Sequence, residues 1–243
     1  MARLLYVCVR PQAGAAAAEY ESFRTGARLE PGELDRIDLV RERLPPDATE
    51  RWSGFVVGGS PFNLTDPEST KTDAQRAVEA DLERLAREAA AQRTAALFTC
   101  YGIGIVTRML GGEVTRAFPE DTGPVAVELT AAGERDPVFG GLATRFSALT
   151  AHKEGAGRTP PGAVLLATNE GCPVQAYRVG DRLYTTQFHP EPTAQAFTER
   201  MAVYRDDGYF DSGDYDAIAA RVLAASITEP ARILQGFARQ VTS

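Results

Sequence analysis

The stretch Ala95-Ala-Leu-Phe-Thr-Cys-Tyr-Gly102 decides the fold, together with Ile103-Gly-Ile-Val-Thr-Arg-Met-Leu110, which follows it directly. The first apolar run has the length of a buried strand, and the second is typical of a helix that ends at Gly111-Gly112. Cys100 is therefore predicted to lie on the turn between them. A side chain on such a turn points out of the sheet, and the helix N–H groups behind it stabilise a thiolate. This position indicates either a nucleophile or a buried structural cysteine, since free cysteine is among the most buried residue types.

A second stretch far downstream, Arg182-Leu-Tyr-Thr-Thr-Gln-Phe-His-Pro-Glu191, predicts a strand that ends at Pro190. It places His189, one of two histidines in the chain, before the break and Glu191 after it. A cysteine nucleophile needs a base that takes its proton, and the base needs a third group that fixes its tautomer. Because prolines at 190 and 192 restrict the backbone, this pair fits those two roles.

Together, Thr99-Cys-Tyr-Gly102 and Gln187-Phe-His-Pro-Glu191 resemble the motifs of the class I (triad-type) glutamine amidotransferase family. The resemblance is to its free-standing members that are similar to the amidotransferase part of GMP synthase. It implies that Cys100 attacks the side-chain amide of glutamine, that a γ-glutamyl thioester forms and that ammonia leaves. It further implies that His189 and Glu191 complete a catalytic triad with Cys100.

A third element, Gly54-Phe-Val-Val-Gly-Gly-Ser-Pro61, matches the family's strand that runs into a Gly-Gly turn. By the resemblance, the backbone N–H groups of Gly59 and Tyr101 donate to the oxyanion, and the neighbouring Gly58 and Ser60 contribute to substrate binding. Glycine suits this place because it lets the backbone approach a substrate closely, and fixed N–H donors stabilise developing negative charge.

Two positions depart from the family's usual Gly-x-Cys-x-Gly-x-Gln motif: Phe98 replaces its first glycine, and Gly104 replaces its glutamine. That glutamine helps to hold the substrate in the family, so a substrate-binding position loses its polar group here, which is expected to weaken discrimination. Gly104 is also expected to leave space. Extra room would favour a γ-glutamyl compound larger than glutamine, or an active state completed when a partner docks.

The other histidine, His152, follows the apolar run that ends at Ala151. The family has a histidine-containing segment here that borders the pocket, so the resemblance implies a substrate-binding role for His152. A surface histidine in a charged loop is the alternative, and both interpretations remain open. As a rival base it is less favoured than His189, because Glu154 lacks the flanking prolines. Lys153 is a candidate to meet a substrate carboxylate.

Predicted strands and helices alternate in the first half of the chain, and short strands dominate the second half. This order predicts an α/β fold, a three-layer open, mostly parallel sheet flanked by helices, with an antiparallel extension. The resemblance implies the same flavodoxin-like architecture, with the site at the carboxyl ends of the strands. Residues 33–43 fit either a helix or a strand. We expect residues 1–204 to form one amidotransferase-like domain, and two helices predicted within 205–243 to pack on it without chemistry of their own.

Composition indicates an ordinary globular chain of 243 residues, 44% hydrophobic and 24% charged, with a net charge of −7. This acidic balance disfavours nucleic acid and anionic membranes as main partners. The apolar run after Arg3 is too short for a secretion signal, and no run approaches the roughly 18 residues of a membrane span. Three cysteines without C-x-x-C spacing fit a reducing compartment. We expect a cytoplasmic protein without a metal or other cofactor.

Three functional hypotheses remain, all with glutamine or another γ-glutamyl compound as the ligand. The first is a glutaminase subunit that passes ammonia to a separate synthase, because the sequence contains no P-loop, adenylation motif or GxGxxG of its own. The second is a γ-glutamyl peptide hydrolase that uses the same triad. The third is a binding-only member of the fold, which the intact cysteine, histidine and glutamate disfavour.

Overall fold

The structure, a computed structural model, describes residues 3–205 and 208–242. Its strands are β1 (Leu4–Cys8), β2 (Leu34–Asp38), β3 (Gly54–Val57), β4 (Ala95–Thr99), β5 (Val114–Thr115), β6 (Glu120–Leu129), β7 (Arg145–His152), β8 (Gly155–Ala156), β9 (Val164–Thr168), β10 (Ala176–Val179) and β11 (Leu183–Thr186). Its helices are α1 (Ala13–Gly26), α2 (Ala48–Arg51), α3 (Asp73–Ala90), α4 (Tyr101–Met109), α5 (Ala131–Glu134), α6 (Ala194–Val203), α7 (Tyr215–Ala224) and α8 (Ala231–Thr242). No helix within these described ranges is long and apolar enough to cross a membrane.

One large sheet has the strand order β2-β1-β3-β4-β11-β10-β9-β6-β7. The strands from β2 to β11 run parallel, and those from β10 to β7 continue the sheet antiparallel. Strands β5 and β8 pair in a separate small sheet. The predicted α/β class, with a mostly parallel central sheet and an antiparallel extension, is confirmed.

Helices cover both faces of this sheet, which gives three layers. Along β1, Leu5 and Val7 pack into the core that includes α3 and α4, whereas Leu4 and Tyr6 pack into the core that includes α1 and α8. Neighbouring side chains of a strand point to opposite faces, so a strand that is buried on both sides reads as one continuous apolar run. Each fully buried aliphatic or aromatic side chain stabilises the fold by about 1.5–3 kcal/mol.

The segment 33–43, which the sequence left open, contains the edge strand β2. Leu34 and Ile37 are buried at a spacing of three, which resembles a helical pattern. The backbone nevertheless pairs with β1 in register, from Leu4 opposite Leu34 to Cys8 opposite Asp38. Pairing with the free edge of β1 outweighs side-chain periodicity here, because it satisfies backbone groups on both strands.

The C-terminal part contributes the two predicted helices. Helix α8 buries Ile233 and Phe237 in the core beneath α1, and α7 packs with α6 around Leu149 of β7. Between α6 and α7 the chain passes Tyr209 and Phe210, which face the carboxyl edge of the sheet.

Four adjacent parallel strands end at that edge, and each is followed by a residue of interest. Arg10 follows β1, Gly58 follows β3, Cys100 follows β4 and His189 follows β11. Since the carboxyl ends of parallel strands meet on one side, segments distant in sequence are brought together there.

Candidate active site

Cys100 lies between β4 and α4, as the sequence predicted, with φ 49° and ψ −105°. Residues other than glycine rarely adopt positive φ, and holding one there costs about 1–3 kcal/mol, so surrounding contacts must fix this turn. The Cys100 N–H donates to the Thr186 carbonyl oxygen at 2.8 Å. A Cβ on Gly102 would lie 2.9 Å from Phe98 Cβ, so α4 begins directly against β4. The turn therefore holds the thiol rigidly at the N-terminus of a helix.

His189 and Glu191 follow β11, and both are buried. His189 Nδ1 lies 2.9 Å from Glu191 Oε1. Because a carboxylate only accepts, this bond assigns the proton to Nδ1 and leaves the lone pair of Nε2 for another partner. His189 and Cys100 line the same cavity. The backbone N–H of His189 donates to the Leu149 carbonyl oxygen at 2.9 Å, which ties this loop to β7.

The charges around His189 favour its protonated form. Burial lowers the pKa of the imidazole, the Glu191 carboxylate raises it, Arg200 lowers it and Cys100 raises it, and the net result raises the pKa of His189 to about 9. Burial acts to raise the pKa of Glu191, but His189 and Arg200 hold it well below its usual range. A thiol beside so basic an imidazole can pass its proton across, which produces the thiolate that attacks carbonyl groups.

The other two cysteines have a different environment. Burial raises the pKa of Cys8, and it raises the pKa of Cys172 to about 11. Their sulfur atoms lie 4.0 Å and 3.8 Å from backbone carbonyl oxygens, those of Arg10 and Val174. Both thiols therefore remain protonated near neutral pH, when they are poor nucleophiles.

Behind the His189–Glu191 pair lies a group of buried charges that the sequence analysis missed. Glu19 Oε1 accepts hydrogen bonds from Arg10 at 2.7 Å and 2.9 Å and from Arg200 at 2.9 Å. Arg200 Nη1 also donates to Glu191 Oε1 at 2.7 Å. The Tyr6 hydroxyl donates to Glu19 Oε2 at 2.6 Å. We name Arg10, Glu19, Glu191 and Arg200 the charge cluster.

A signal for the charge cluster is present in the sequence. Glu19 lies four residues after Ala15 and four before Phe23, on the buried face of α1. Arg200 likewise lies between Phe197 and Met201 on the buried face of α6. A charged side chain on the apolar face of a helix needs a buried partner. The pattern identifies both charges, but not that they meet, because 181 residues separate them.

The Gly58-Gly59 turn packs against the charge cluster. A Cβ on Gly58 would lie 2.1 Å from Glu19 Oε2, and the cavities at Cys100 are lined by other described residues. A Cβ on Gly59 would lie 2.7 Å from His189 Cε1. The Gly59 N–H donates to Glu19 Oε1 at 3.3 Å. Gly59 thus adjoins the site, but its predicted oxyanion donor is directed at a carboxylate, and Gly58 faces Glu19 rather than a substrate cavity.

Ser60 and Tyr101 hold the backbone N–H groups that are available at Cys100. Within residues 3–205 and 208–242, neither N–H has an acceptor, and both residues line a cavity with Cys100. Ser60 Oγ donates to the Val9 carbonyl oxygen at 2.8 Å, which fixes this part of the turn. Tyr101 is the first residue of α4, where the helix carries partial positive charge.

The space expected at Gly104 is filled. A Cβ on Gly104 would lie 2.7 Å from Leu64 Cδ1. The backbone N–H groups of Leu64 and Thr65 donate to the two carboxylate oxygens of Glu154 at 2.6 Å and 3.0 Å, so this segment is anchored over α4. The expectation that glycine leaves room for a larger substrate is wrong, because an apolar side chain from the segment after β3 occupies that room.

His152 is buried at the end of β7 rather than exposed in a charged loop. Its Nε2 lies 2.8 Å from Glu120 Oε2, and its Nδ1 lies 3.0 Å from the Glu154 carbonyl oxygen. The surface interpretation is therefore wrong. Both ring nitrogens are engaged away from Cys100, although His152 lines a cavity with it. Lys153 lies over the Tyr209 ring at 4.8 Å from its centroid and lines the same cavity.

Two small cavities flank Cys100, and Ser60, Ala151 and Tyr209 line both of them. The first, of about 40 Å³, is the His189 cavity, and its remaining wall comprises Arg10, Thr122, His189, Phe197, Arg200, Met201, Tyr204 and Phe210. The second, of about 20 Å³, is the Gly104 cavity, and its remaining wall comprises Phe62, Asn63, Tyr101, Gly104, Val114, His152, Lys153, Glu154 and Gln187. The C-terminal segment predicted to lack chemistry thus supplies Tyr209 and Phe210 to the site.

Two groups of described residues bring possible metal-binding atoms within 4.8 Å of one another: Glu120, His152 and Cys172, and Glu19, His189 and Glu191. Arginine side chains occupy the carboxylates of the second group, and the raised pKa of Cys172 keeps the first group's thiol protonated. Neither donor set fits a cation well, because a cation would meet guanidinium groups in one and a thiol instead of a thiolate in the other.

Comparison with known proteins gives three findings. The sequence model of the glutamine amidotransferase class-I family matches residues 48–203. A GMP synthase (glutamine-hydrolyzing) of Aeropyrum pernix is 30% identical over 155 residues, 64% of this chain and 26% of that protein. The putative glutamine amidotransferase-like protein YfeJ of Salmonella typhimurium is 29% identical over 155 residues, 64% of this chain and 63% of that protein. The matched segment thus spans about a quarter of the first relative and less than two thirds of the second.

A solved structure supports the fold over the whole chain. The crystal structure of a glutamine amidotransferase from Thermotoga maritima superimposes with a TM-score of 0.77 and 18% identity, and the match covers 100% of this chain and 98% of that one. At this identity the likeness concerns the fold alone. It includes the C-terminal helices, which lie beyond the segment that the family model matches.

Proposed function

The chain belongs to the class I glutamine amidotransferase family, and from that premise we propose that it hydrolyses the side-chain amide of glutamine through Cys100, His189 and Glu191. The observation that carries the proposal is the relation of these three residues. Cys100 sits on a strained turn at a helix N-terminus, beside a buried His189 that is hydrogen-bonded to Glu191.

In the first half of the reaction, His189 accepts the proton of the Cys100 thiol at Nε2, and the sulfur attacks the side-chain carbonyl carbon. A C–S bond forms, and the carbonyl oxygen becomes an oxyanion. His189 then returns the proton to the amide nitrogen, the C–N bond breaks, and ammonia leaves a γ-glutamyl thioester. In the second half, a water gives a proton to His189 and attacks the thioester carbonyl. The C–S bond breaks, glutamate leaves, and Cys100 regains its proton. Glu191 keeps the Nδ1 proton in place and stabilises the imidazolium in both halves.

The oxyanion needs two N–H donors near the Cys100 sulfur. We assign one to Tyr101, in agreement with the sequence prediction, because its N–H is unpaired at the start of α4. For the second we favour Ser60 over Gly59, because the Gly59 N–H is already directed at Glu19. Fixed donors of this kind contribute about 3–4 kcal/mol each to stabilisation of the transition state.

The glutamine side chain is assigned to the Gly104 cavity. This cavity contains the polar side chains of Asn63, His152 and Lys153, and the Lys153 ammonium group suits the α-carboxylate of the substrate. Gly104 contributes no side chain, and Leu64 packs where the family's glutamine would lie. Discrimination for the amino-acid end of the substrate therefore depends on neighbours of Gly104 and not on that position itself.

The released ammonia is proposed to serve a separate synthase partner. Two observations support this. The chain's relative from Aeropyrum pernix is a synthase by name, and the match covers 26% of it. In addition, no motif for phosphate binding or adenylation occurs in the 243 residues of this chain.

A second candidate is a hydrolase of γ-glutamyl amides with a leaving group larger than ammonia. The His189 cavity favours it, because a leaving amine must lie next to the base that protonates it. That cavity has about 40 Å³ and apolar walls at Phe197, Met201 and Phe210. A volume of this size holds about three water molecules, which exceeds what ammonia needs.

The test measures glutamate release by the purified full chain from free glutamine and from a panel of γ-glutamyl amides of small alkylamines and amino acids. We expect Cys100→Ser to abolish all turnover. A glutamine-like diazoketone should label Cys100 and leave Cys8 and Cys172 unmodified, as mapped by mass spectrometry. Cys8→Ser and Cys172→Ser are the matched controls and should retain both turnover and labelling.

The outcomes separate the candidates. Preference for free glutamine supports the amidotransferase, and a preference for γ-glutamyl amides above tenfold supports the second candidate. Label that persists in Cys100→Ser, or turnover that survives this change, would exclude Cys100 as the nucleophile.

A further inference from the structure

Glu191 is held by a second partner besides His189. Arg200 Nη1 donates to the same oxygen, Oε1, at 2.7 Å, and that oxygen is the one that accepts from His189 at 2.9 Å. Arg200 is 6% exposed and comes from α6, nine residues after Glu191. The orienting carboxylate is therefore fixed from two sides.

Glu19 connects this arrangement to another part of the site. The same nitrogen of Arg200 donates to Glu19 Oε1 at 2.9 Å, and Glu19 Oε1 also accepts from Arg10 and from the Gly59 N–H. Glu19 is 1% exposed and lies on α1, the helix that packs against α6. One buried carboxylate thus touches both the residue that holds Glu191 and the turn that leads to Ser60.

The charges of this cluster balance. Arg10 and Arg200 each carry a positive charge, and Glu19 and Glu191 each carry a negative one, all inside a region from which water is largely excluded. The groups that face His189 are Glu191, Arg200, Glu19, Cys100 and Arg10. Because Coulomb interactions are strong where water is excluded, removing one charge of the cluster changes the electrostatic potential at the imidazole.

We propose that Arg200 and Glu19 are positioning residues for the reaction: Arg200 holds Glu191 and places a positive charge beside His189, and Glu19 holds Arg200 and the Gly58-Gly59 turn. The proposal rests on the proposed function in assigning His189 as the base. It assigns no contact between substrate and either residue. Their effect passes through Glu191, His189 and the backbone at Ser60.

The presence of only two histidines allows a direct test. In ¹⁵N-histidine-labelled protein, NMR shows two imidazole systems, and His152→Gln identifies which signals belong to His189. The pH is varied from 5 to 10.5 in the full chain and in the variants Arg200→Gln, Arg200→Lys and Glu19→Gln. Arg178→Gln is the matched control, because Arg178 pairs with the buried Asp136 and lines neither cavity.

Opposite shifts are expected for the two cluster charges. In Arg200→Gln the titration midpoint of His189 should rise by about one pH unit, since a neighbouring cation is lost. In Glu19→Gln it should fall, since an anion is lost. Arg200→Lys should keep the midpoint near that of the unchanged protein, and Arg178→Gln should not move it. Turnover by Arg200→Gln should fall at least tenfold, with Arg200→Lys intermediate.

Other outcomes overturn the proposal. If Arg200→Gln and Glu19→Gln lower the melting temperature but leave the His189 midpoint unchanged, or move it in the same direction, the two residues are only structural. Should either single variant fail to fold, the charge-neutral double variant Arg200→Gln/Glu19→Gln replaces it, and a wild-type turnover in that variant also overturns the proposal. The NMR titration does not require turnover, so an inactive wild-type protein would refute the proposed function without deciding this inference.

Discussion

Leu64 occupies the place that a side chain at position 104 would need, since its Cδ1 lies 2.7 Å from where a Cβ on Gly104 would stand. The two residues come from different segments, one after β3 and one within α4, and Glu154 fixes the first of them. A glycine in α4 and a leucine above it therefore act as one packing unit.

This packing predicts a strong coupling between the two positions. Gly104→Gln should lower the free energy of unfolding by about 1–3 kcal/mol, because the new side chain displaces Leu64 from a filled space. Leu64→Ala alone should cost about 2–4 kcal/mol through the cavity that it leaves. In the double variant each change relieves the other, so its loss should fall short of the sum by at least about 1 kcal/mol. Urea unfolding measures all four proteins, and simple additivity would contradict this account.

The Gly58-Gly59 turn predicts a difference between two glycine-to-alanine changes. Gly58→Ala should lower the free energy of unfolding by about 3 kcal/mol or more, because its Cβ would lie 2.1 Å from Glu19 Oε2 in the charge cluster. Gly14→Ala is the matched control. Nothing lies within 4 Å of a Cβ at Gly14, which is in α1, so alanine should be neutral or stabilise by up to about 1 kcal/mol. Thermal unfolding compares the two, and equal effects would show that Glu19 yields easily.

The two histidines should respond differently to replacement. His189→Ala should reduce kcat/KM by about 10⁴-fold or more, and Glu191→Gln should have a smaller effect, because the base remains present. His152→Ala should raise KM and reduce kcat by less than about tenfold, since both ring nitrogens of His152 are bonded away from Cys100. Steady-state kinetics on the preferred substrate gives these values. Near-full activity in His189→Ala together with its loss in His152→Ala would reverse the assignment.

The stability of the protein should fall as the pH rises from about 6.5 to about 9. In the folded state the pKa of His189 is raised to about 9 from an ordinary value of 6.5. The folded state therefore binds more protons than the unfolded state in this window, so stabilisation by His189 is complete below it and disappears above it. The shift corresponds to about 3 kcal/mol. Urea unfolding at a series of pH values should show this decline, and His189→Gln should flatten it. A decline of the same size in that variant would assign it to another group.

Much of the site follows from local sequence because each component ends a strand. Cys100 and His189 could be placed at the same edge of the sheet, since a buried apolar run and a chain break define where β4 and β11 stop. Their burial and the bond from His189 to Glu191 agree with the predicted order of roles, although the roles themselves remain predictions. The strand assignment of β2 could not be made, since its pairing with β1 is a long-range backbone interaction.

The charge cluster shows what local sequence does not contain. Glu19 in an alanine-rich helix reads as helix propensity, and Arg200 reads as one more charge in a mixed helix. Only the packing of α1 against α6 reveals that they share a hydrogen bond. The error at Gly104 has the same origin, because the absence of a side chain at one position does not reveal that Leu64, forty residues earlier, fills the space.

The bond from the Cys100 N–H to the Thr186 carbonyl oxygen continues the pairing of β4 with β11, in which Thr99 lies opposite Thr186. The separation between nucleophile and base is thereby tied to the spacing of adjacent strands, about 4.8 Å, and not to the packing of flexible loops. Such a site cannot loosen without breaking the central strands. In hydrogen–deuterium exchange, the amide of Cys100 should be protected as strongly as those of β4, so that loss of the reactive geometry and global unfolding become one and the same event.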